Sequence, residues 1–227
     1  MSYYRKFKIV IGTPLWRVYL RWAYEKCIDD LSKLNFVPEF NRKNFTCLLC
    51  GVGNETTADE FIKFVIAKNK KAEIIIVDIG GEQIEAVKKL IHNKYLFFNI
   101  QIKQINALEL TKLLRHHSID WIETDGFLEY FDTNKLNTLL DIWRKILKLD
   151  GFITIRETAS NSFTGRIVDH IRVWIAKVWL GVTIYIHTKI KLEKMFHNNQ
   201  LKFVSGPTWL PTFRRYSLIK KERNAKR

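Results

Sequence analysis

Thr46-Cys47-Leu48-Leu49-Cys50-Gly51-Val52-Gly53-Asn54-Glu55-Thr56 is the stretch that decides the fold. An apolar run stops abruptly at two glycines, and a helix-forming segment follows, from about Thr57 to Lys68. This is the layout of a first parallel strand that feeds a tight phosphate- or nucleoside-binding turn. Gly51 permits a sharp turn with positive φ, and Gly53 lets a ligand approach the backbone. The helix after them directs its free N–H groups at whatever sits there. A Gly-x-Gly pair alone is common, and the next strand adds the discriminating feature. Ile74-Ile75-Ile76-Val77 is wholly apolar and ends in Asp78, an acid placed to accept hydrogen bonds from ribose hydroxyls.

Downstream the same alternation continues. Glu73 to Asp78 is the second strand, and Gly80-Gly81 opens a helix to Leu90 or His92 with Ile84, Val87, Lys88 and Ile91 on one side. Ile100 to Ile105 reads as a third strand, with Asn106-Ala107 directly after it and a short helix from Leu108 to His116. Ile119 to Thr124 is the fourth strand, followed at once by Asp125-Gly126-Phe127-Leu128-Glu129-Tyr130-Phe131. Asp132 or Thr133 caps a helix from Asn134 to Leu147, Asp150-Gly151 is a turn, and Phe152 to Glu157 is the fifth strand. Strands alternating with helices imply a parallel sheet covered on both faces.

The flanks differ in character. Met1 to Ile11 is basic and aromatic and reads as a mobile or docking arm. Thr13-Pro14 marks a helix start that runs to about Leu34, with Trp16, Leu20, Ala23, Cys27, Leu31 and Leu34 as its buried stripe. Arg17, Arg21, Glu25 and Asp29 lie four apart on another face, a spacing for Arg–Glu pairing. This helix either packs on the domain or serves as a lid or membrane-facing element. After the fifth strand, Phe163 to Trp179 is helical, with Arg166, Arg172 and Lys177 among apolar residues, and Gly181 breaks it. Thr188 caps a helix over Lys189 to Asn198, and Phe203 to Leu210 and Phe213 to Lys220 read as two final strands before a charged, frayed tail.

At 227 residues with 47% hydrophobic content, the chain can bury a substantial core. A net charge of +15 favours an anionic partner, whether RNA, an acidic membrane surface or a charged substrate. The cysteines, Cys27, Cys47 and Cys50, are odd in number, and no signal peptide is visible, so a reducing cytoplasm is the expected home, with peripheral membrane attachment as an extension of it. Cys47-x-x-Cys50 lies inside a buried strand without a second pair, so it reads as small core residues and no metal site is expected.

In these segments the chain resembles the class I, Rossmann-like S-adenosylmethionine-dependent methyltransferases. The resemblance spans about Phe45 to Glu157 and, more loosely, the last helix and two strands. It implies a single doubly wound α/β domain with a mostly parallel seven-stranded sheet whose last strand is antiparallel. Residues 1–44 then form an N-terminal arm and helix on the substrate side. Residues 45–227 form the methyltransferase domain, with a helical insertion at about 162–187. The implied cofactor residues are Gly51, Gly53 and Asn54 in the glycine motif, Asp78 and Ile79 at ribose and adenine, Asn106 and Ala107 at adenine, and Asp125 and Gly126 beneath the methionine portion. Four departures stand out. Leu49 occupies the usual place of an acid, Glu55 replaces a third glycine, Asn106 replaces an Asp, and the turn before strand five lacks a Pro. A nicotinamide fingerprint needs a glycine where Thr56 stands.

Methyl transfer from a sulfonium mainly requires alignment, so catalytic residues are harder to read than the cofactor site. Glu129, Tyr130, Glu157 and Tyr185 lie at or beyond strand ends and are the candidates. No Asn-Pro-Pro-Tyr element and no Pro-Cys nucleophile of the nucleobase methyltransferases is present. The N-terminal helix and the insertion interleave Trp, Ile, Leu and Val with Arg and Lys, which suits an apolar or lipid-like acceptor, an anionic membrane surface or a homodimer contact. An RNA acceptor and a non-catalytic cofactor-binding scaffold are the alternatives.

Overall fold

The computed structural model describes residues 3–159 and 163–221. The side chain of Arg166 and the tail from residue 222 onward, both read above, lie outside the described residues, as do Met1 and Ser2 of the arm. The elements run α1 (Tyr3–Ile11), α2 (Pro14–Leu31), β1 (Thr46–Cys50), α3 (Glu55–Lys68), β2 (Glu73–Asp78), α4 (Gly81–Lys94) and β3 (Ile100–Gln104). They continue as α5 (Leu110–Leu113), β4 (Ile119–Asp125), α6 (Thr133–Ile146), β5 (Leu147–Thr158), α7 (Phe163–Ile175, extended by a π-helical turn over Ala176–Leu180 to form the α7 segment), α8 (Lys189–Asn198), β6 (Leu201–Pro207) and β7 (Phe213–Lys220). The seven strands form one sheet in the order β3-β2-β1-β4-β5-β7-β6. The first five are mutually parallel, and β7 runs antiparallel to both β5 and β6.

Side-chain alternation along β1 divides the core in two. Leu48 and Cys50 face the layer of α6 and α8, with Leu139, Trp143 and Phe196. Cys47 and Leu49 face the layer of α2 and α3, with Leu20, Tyr24 and Phe61. The N-terminal helix α2 therefore shares a core with the sheet. Trp121 on β4 anchors this side, stacked on Phe152 at 5.5 Å and donating its indole N–H to the Thr154 hydroxyl at 2.6 Å. The three cysteines are buried, and burial raises all three thiols, Cys27 to about 12.

Several expectations are corrected. The N-terminal arm is a helix, α1, because Glu55 accepts a 2.6 Å hydrogen bond from the Tyr4 hydroxyl and pairs with Lys8. The Asp150-Gly151 turn lies inside β5, which starts as soon as α6 ends and absorbs a register shift opposite Ile119 and Trp121. A Cβ on Gly151 would sit 3.0 Å from the carbonyl oxygens of Ile119 and Asp120, so the close strand approach itself requires glycine. Strand β6 ends at Pro207, short of Leu210, because the Thr208 hydroxyl turns the chain by accepting the Leu210 N–H. The helix expected over Leu108 to His116 shrinks to a 3-10 turn, Ala107–Glu109, and α5.

Arg17 and Arg21 do not pair along their own helix. Arg17 binds Asp59 and Glu60 of α3 at 2.6 and 2.7 Å, and Arg21 binds Glu60 at 2.9 Å. Docking α2 on α3 buries both carboxylates, and buried carboxylates require cations. Burial opposes the charge on Asp59, but hydrogen bonds from Lys63, Tyr95 and Arg17 outweigh it and hold the carboxyl at about 2. Such a group stabilises the fold above its unfolded pKa of 3.8, and that contribution disappears as pH falls from there through about 2. Urea midpoints measured across that window are expected to fall more steeply in the wild type than in Asp59→Asn.

Candidate active site

The site is built where β1, β2, β3 and β4 end. At the first turn Gly51 has φ +82°, and its N–H donates to the Val77 carbonyl at 2.9 Å. A Cβ there would lie 2.3 Å from Cδ2 of Phe127, so both backbone and neighbour require glycine. Asp78 at the end of β2 divides its carboxylate between two loops. Oδ2 accepts from the Val52 N–H and Oδ1 from the Gly80 N–H, each at 2.6 Å. Burial raises its carboxyl pKa, while these backbone donors pull it down.

These ends open into a cavity of about 620 Å³. Gly51, Gly53, Asp78, Ile79, Asn106, Ala107, Asp125 and Gly126 all line it. Asn54 is set apart from them. It is fully buried, and its side-chain oxygen caps α3 by accepting from the Thr56 and Thr57 N–H groups at 2.9 and 3.2 Å. Asn106 accepts the Leu108 N–H at 3.0 Å, which leaves its amide N–H groups as the donors it offers. Ile79 is 67% exposed, an apolar side chain presented to the opening.

Asp125 meets the cavity at its base, but its carboxylate is turned to Arg156 on the neighbouring strand, 3.5 Å from Nε. Arg156 is fully buried, pairs also with the buried Glu123, and lies 4.9 Å from the centre of the Tyr24 ring. Burial raises the carboxyls of both acids, that of Glu123 to about 7, against the pull of Arg156.

Of the four candidate catalytic residues, Tyr130 lines the cavity. Glu129, Glu157 and Tyr185 are not among its lining residues. Glu157 is fully buried and accepts the Leu128 and Thr158 N–H groups at 2.6 and 2.8 Å, so it holds the segment after β4 in place. Burial, reinforced by nearby Glu129, raises its carboxyl pKa. Glu129 is paired with Arg172 of α7 at 2.7 Å, and its carbonyl accepts the Tyr185 N–H at 2.7 Å. Together these contacts fasten the α7 insertion to the floor of the site.

The same architecture recurs in solved structures. The YcgJ protein from Bacillus subtilis superposes with a TM-score of 0.65 at 15% identity, covering 88% of this chain and 100% of that one. An O-methyltransferase family protein from Burkholderia thailandensis gives 0.64 at 14% identity, over 89% of this chain and 57% of its own. The complex of LepI with S-adenosylmethionine gives 0.59 at 11% identity, over 79% of this chain and 44% of its own. This is the class I, Rossmann-like methyltransferase fold. No family model and no curated sequence matches the chain.

Within that methyltransferase fold, the two main departures from the family motif fall outside the cavity. Leu49 is a core residue facing α2 and α3. Glu55 is the anchor of α1, and that contact brings Tyr4 to the cavity wall. Lys135, on the first turn of α6, and Val182, just beyond the α7 segment, complete the wall. Sequence reading missed Tyr4, Lys135 and Val182, which carry no local motif. Because Glu55 ties down both Tyr4 and Lys8, Glu55→Ala is expected to release α1. Hydrogen exchange of its amides should rise by roughly tenfold or more while that of β1 is unchanged.

Proposed function

We propose that the protein binds S-adenosylmethionine in this cavity and transfers its methyl group to an apolar, lipid-like acceptor. The observation that carries the reading is the convergence of the glycine turn, Asp78, Asn106-Ala107 and Asp125-Gly126 on one cavity of about 620 Å³, a volume suited to a cofactor with an acceptor beside it. The donor set fits the cofactor. Asp78 offers carboxylate oxygens to ribose hydroxyls, Asn106 offers amide donors to the adenine edge, and Ile79 and Ala107 offer apolar contact to the ring. The LepI complex holds that cofactor on the same fold.

When bound, S-adenosylmethionine supplies a methyl group already activated on a sulfonium. The work left to the chain is to align an acceptor and exclude water. Tyr4, Phe127, Tyr130, Phe131 and Val182 give the wall an aromatic and apolar character suited to an acceptor of the same kind. A base is needed only where the acceptor must lose a proton, and Tyr130 and Lys135 are proton-carrying groups on the wall.

Incubation with methyl-labelled cofactor and a panel of apolar acceptors tests the reading, which expects label in the organic phase. The second reading, an RNA acceptor, is supported by the +15 charge and expects RNA binding that weakens steeply with salt. Label found in RNA alone would replace the first reading with the second. The scaffold reading draws less support than the sequence offered, since neither Leu49 nor Glu55 is among the residues that line the cavity.

A further inference from the structure

We infer that the outward face of the α7 segment is a docking surface for an anionic lipid bilayer, with the cavity mouth beside it. Ile167, Ile171, Trp174 and Val178 recur at helical spacing and are 48%, 52%, 65% and 63% exposed. Ile175 and Trp179 widen the same stripe. The inward side of the helix is distinct, with Asp169 and Ala176 buried against the domain. Large apolar side chains turned outward along a whole helix mark a surface that meets something apolar.

Charge selects the occupant. Asp169 is the one acid between Phe163 and Leu180, and it is 2% exposed and paired with Arg172 at 3.5 Å. The exposed charge of the segment is thus cationic at Lys177, and Arg5 of α1 is exposed nearby, where the Lys6 ammonium binds the Trp179 carbonyl. A chain of net charge +15 is drawn to an anionic headgroup layer, whereas an isologous contact between two copies would set the same cations against their symmetry mates. Exposed Trp174 and Trp179 suit the headgroup level, where an indole has apolar and polar neighbours together. Among the described residues no helix is long and apolar enough to cross a membrane, so the contact is one of lying on the surface.

The segment ends at the cavity. Gly181 ends the π-helical turn in a left-handed conformation, φ 73°, and the next residue, Val182, lines the cavity together with Tyr4. Docking would give a membrane-dissolved acceptor a short path to the site, and in that respect it rests on the methyl-transfer reading above.

Co-sedimentation of the full chain with phosphatidylglycerol–phosphatidylcholine vesicles, without cofactor or acceptor, tests the surface directly. The expected result is binding that salt weakens, that pure phosphatidylcholine vesicles reduce, and that Trp174→Glu or Ile171→Glu weakens by roughly tenfold or more. Calorimetric binding of S-adenosylmethionine to each variant reports that the domain is intact, and Lys177→Glu gives a milder loss from an unrelated side chain. Equal binding of wild type and variants, or no binding of the wild type, overturns the inference. So does a dimer in sedimentation equilibrium that Trp174→Glu dissociates, which would give the face to a second copy. Vesicle binding without any methyl transfer would sink the proposed function and leave the docking surface standing, and the converse result would do the reverse.

Discussion

Arg156→Met is expected to lower stability by about 3–5 kcal/mol, the usual cost of stranding buried charges whose partner is removed. Arg156 is the counter-charge of both Glu123 and Asp125; Arg156 and Glu123 are fully buried, and Asp125 meets only the base of the cavity. Without it two carboxylates face one another in the core beneath the cavity, and the guanidinium–Tyr24 contact is lost as well. The damage is expected to depend on pH. Burial raises both carboxyls, and without Arg156 only the hydrogen bond from the Thr154 hydroxyl to Glu123 opposes that rise. A carboxyl whose folded pKa lies above its unfolded one binds more protons when folded, so stability falls as pH rises between the two values. Urea titrations at about pH 5 and about pH 8 should therefore show the variant closer to wild type at the lower pH. The triple variant Arg156→Met, Glu123→Gln, Asp125→Asn should recover much of the loss. A single variant as stable as wild type at both pH values would show that the buried charges carry none of this role.

Asp78→Ala is expected to weaken S-adenosylmethionine binding by roughly 100-fold or more. The side chain has two tasks that fail together. It ties the glycine turn to the start of α4 through the Val52 and Gly80 N–H groups, and it is the carboxylate that the ribose hydroxyls would meet. A hydrogen bond to a charged group contributes about 1.5–3 kcal/mol, so losing the loop bonds and the ligand bond yields an effect of this order. Asp78→Asn keeps the shape with one acceptor oxygen, and its affinity should fall between the two. Calorimetry gives the affinities, and circular dichroism checks that the fold persists. Unchanged affinity in Asp78→Ala would take Asp78 out of the site.

The parts of the site legible in the sequence are those whose geometry is local. Strand, glycine turn and helix cap occupy one continuous stretch, and the structure places β1 at Thr46–Cys50, β2 at Glu73–Asp78 and β7 at Phe213–Lys220, as the apolar runs indicate. The missed features depend on residues far apart in the chain. Tyr4 reaches the cavity because Glu55 holds it, a contact across 51 positions. Arg17 finds its acids across 42 and 43 positions, on a helix whose docking angle no periodicity reveals. Asp125 was legible as a residue at a strand end, but its ion pair follows from its register opposite Arg156 on β5, and register is a property of the assembled sheet. Glu129 and Glu157 stand where catalytic acids often do, and only packing reveals that they hold backbone and Arg172 instead.

The central claim is that the glycine turn, Asp78 and Asn106 form a site for S-adenosylmethionine. Titration calorimetry of the purified chain with S-adenosylmethionine, S-adenosylhomocysteine and NADH tests it most directly. The account predicts saturable one-to-one binding of both sulfur ligands and none of NADH. Binding of NADH alone, or no binding of either sulfur ligand by the folded protein, would contradict it.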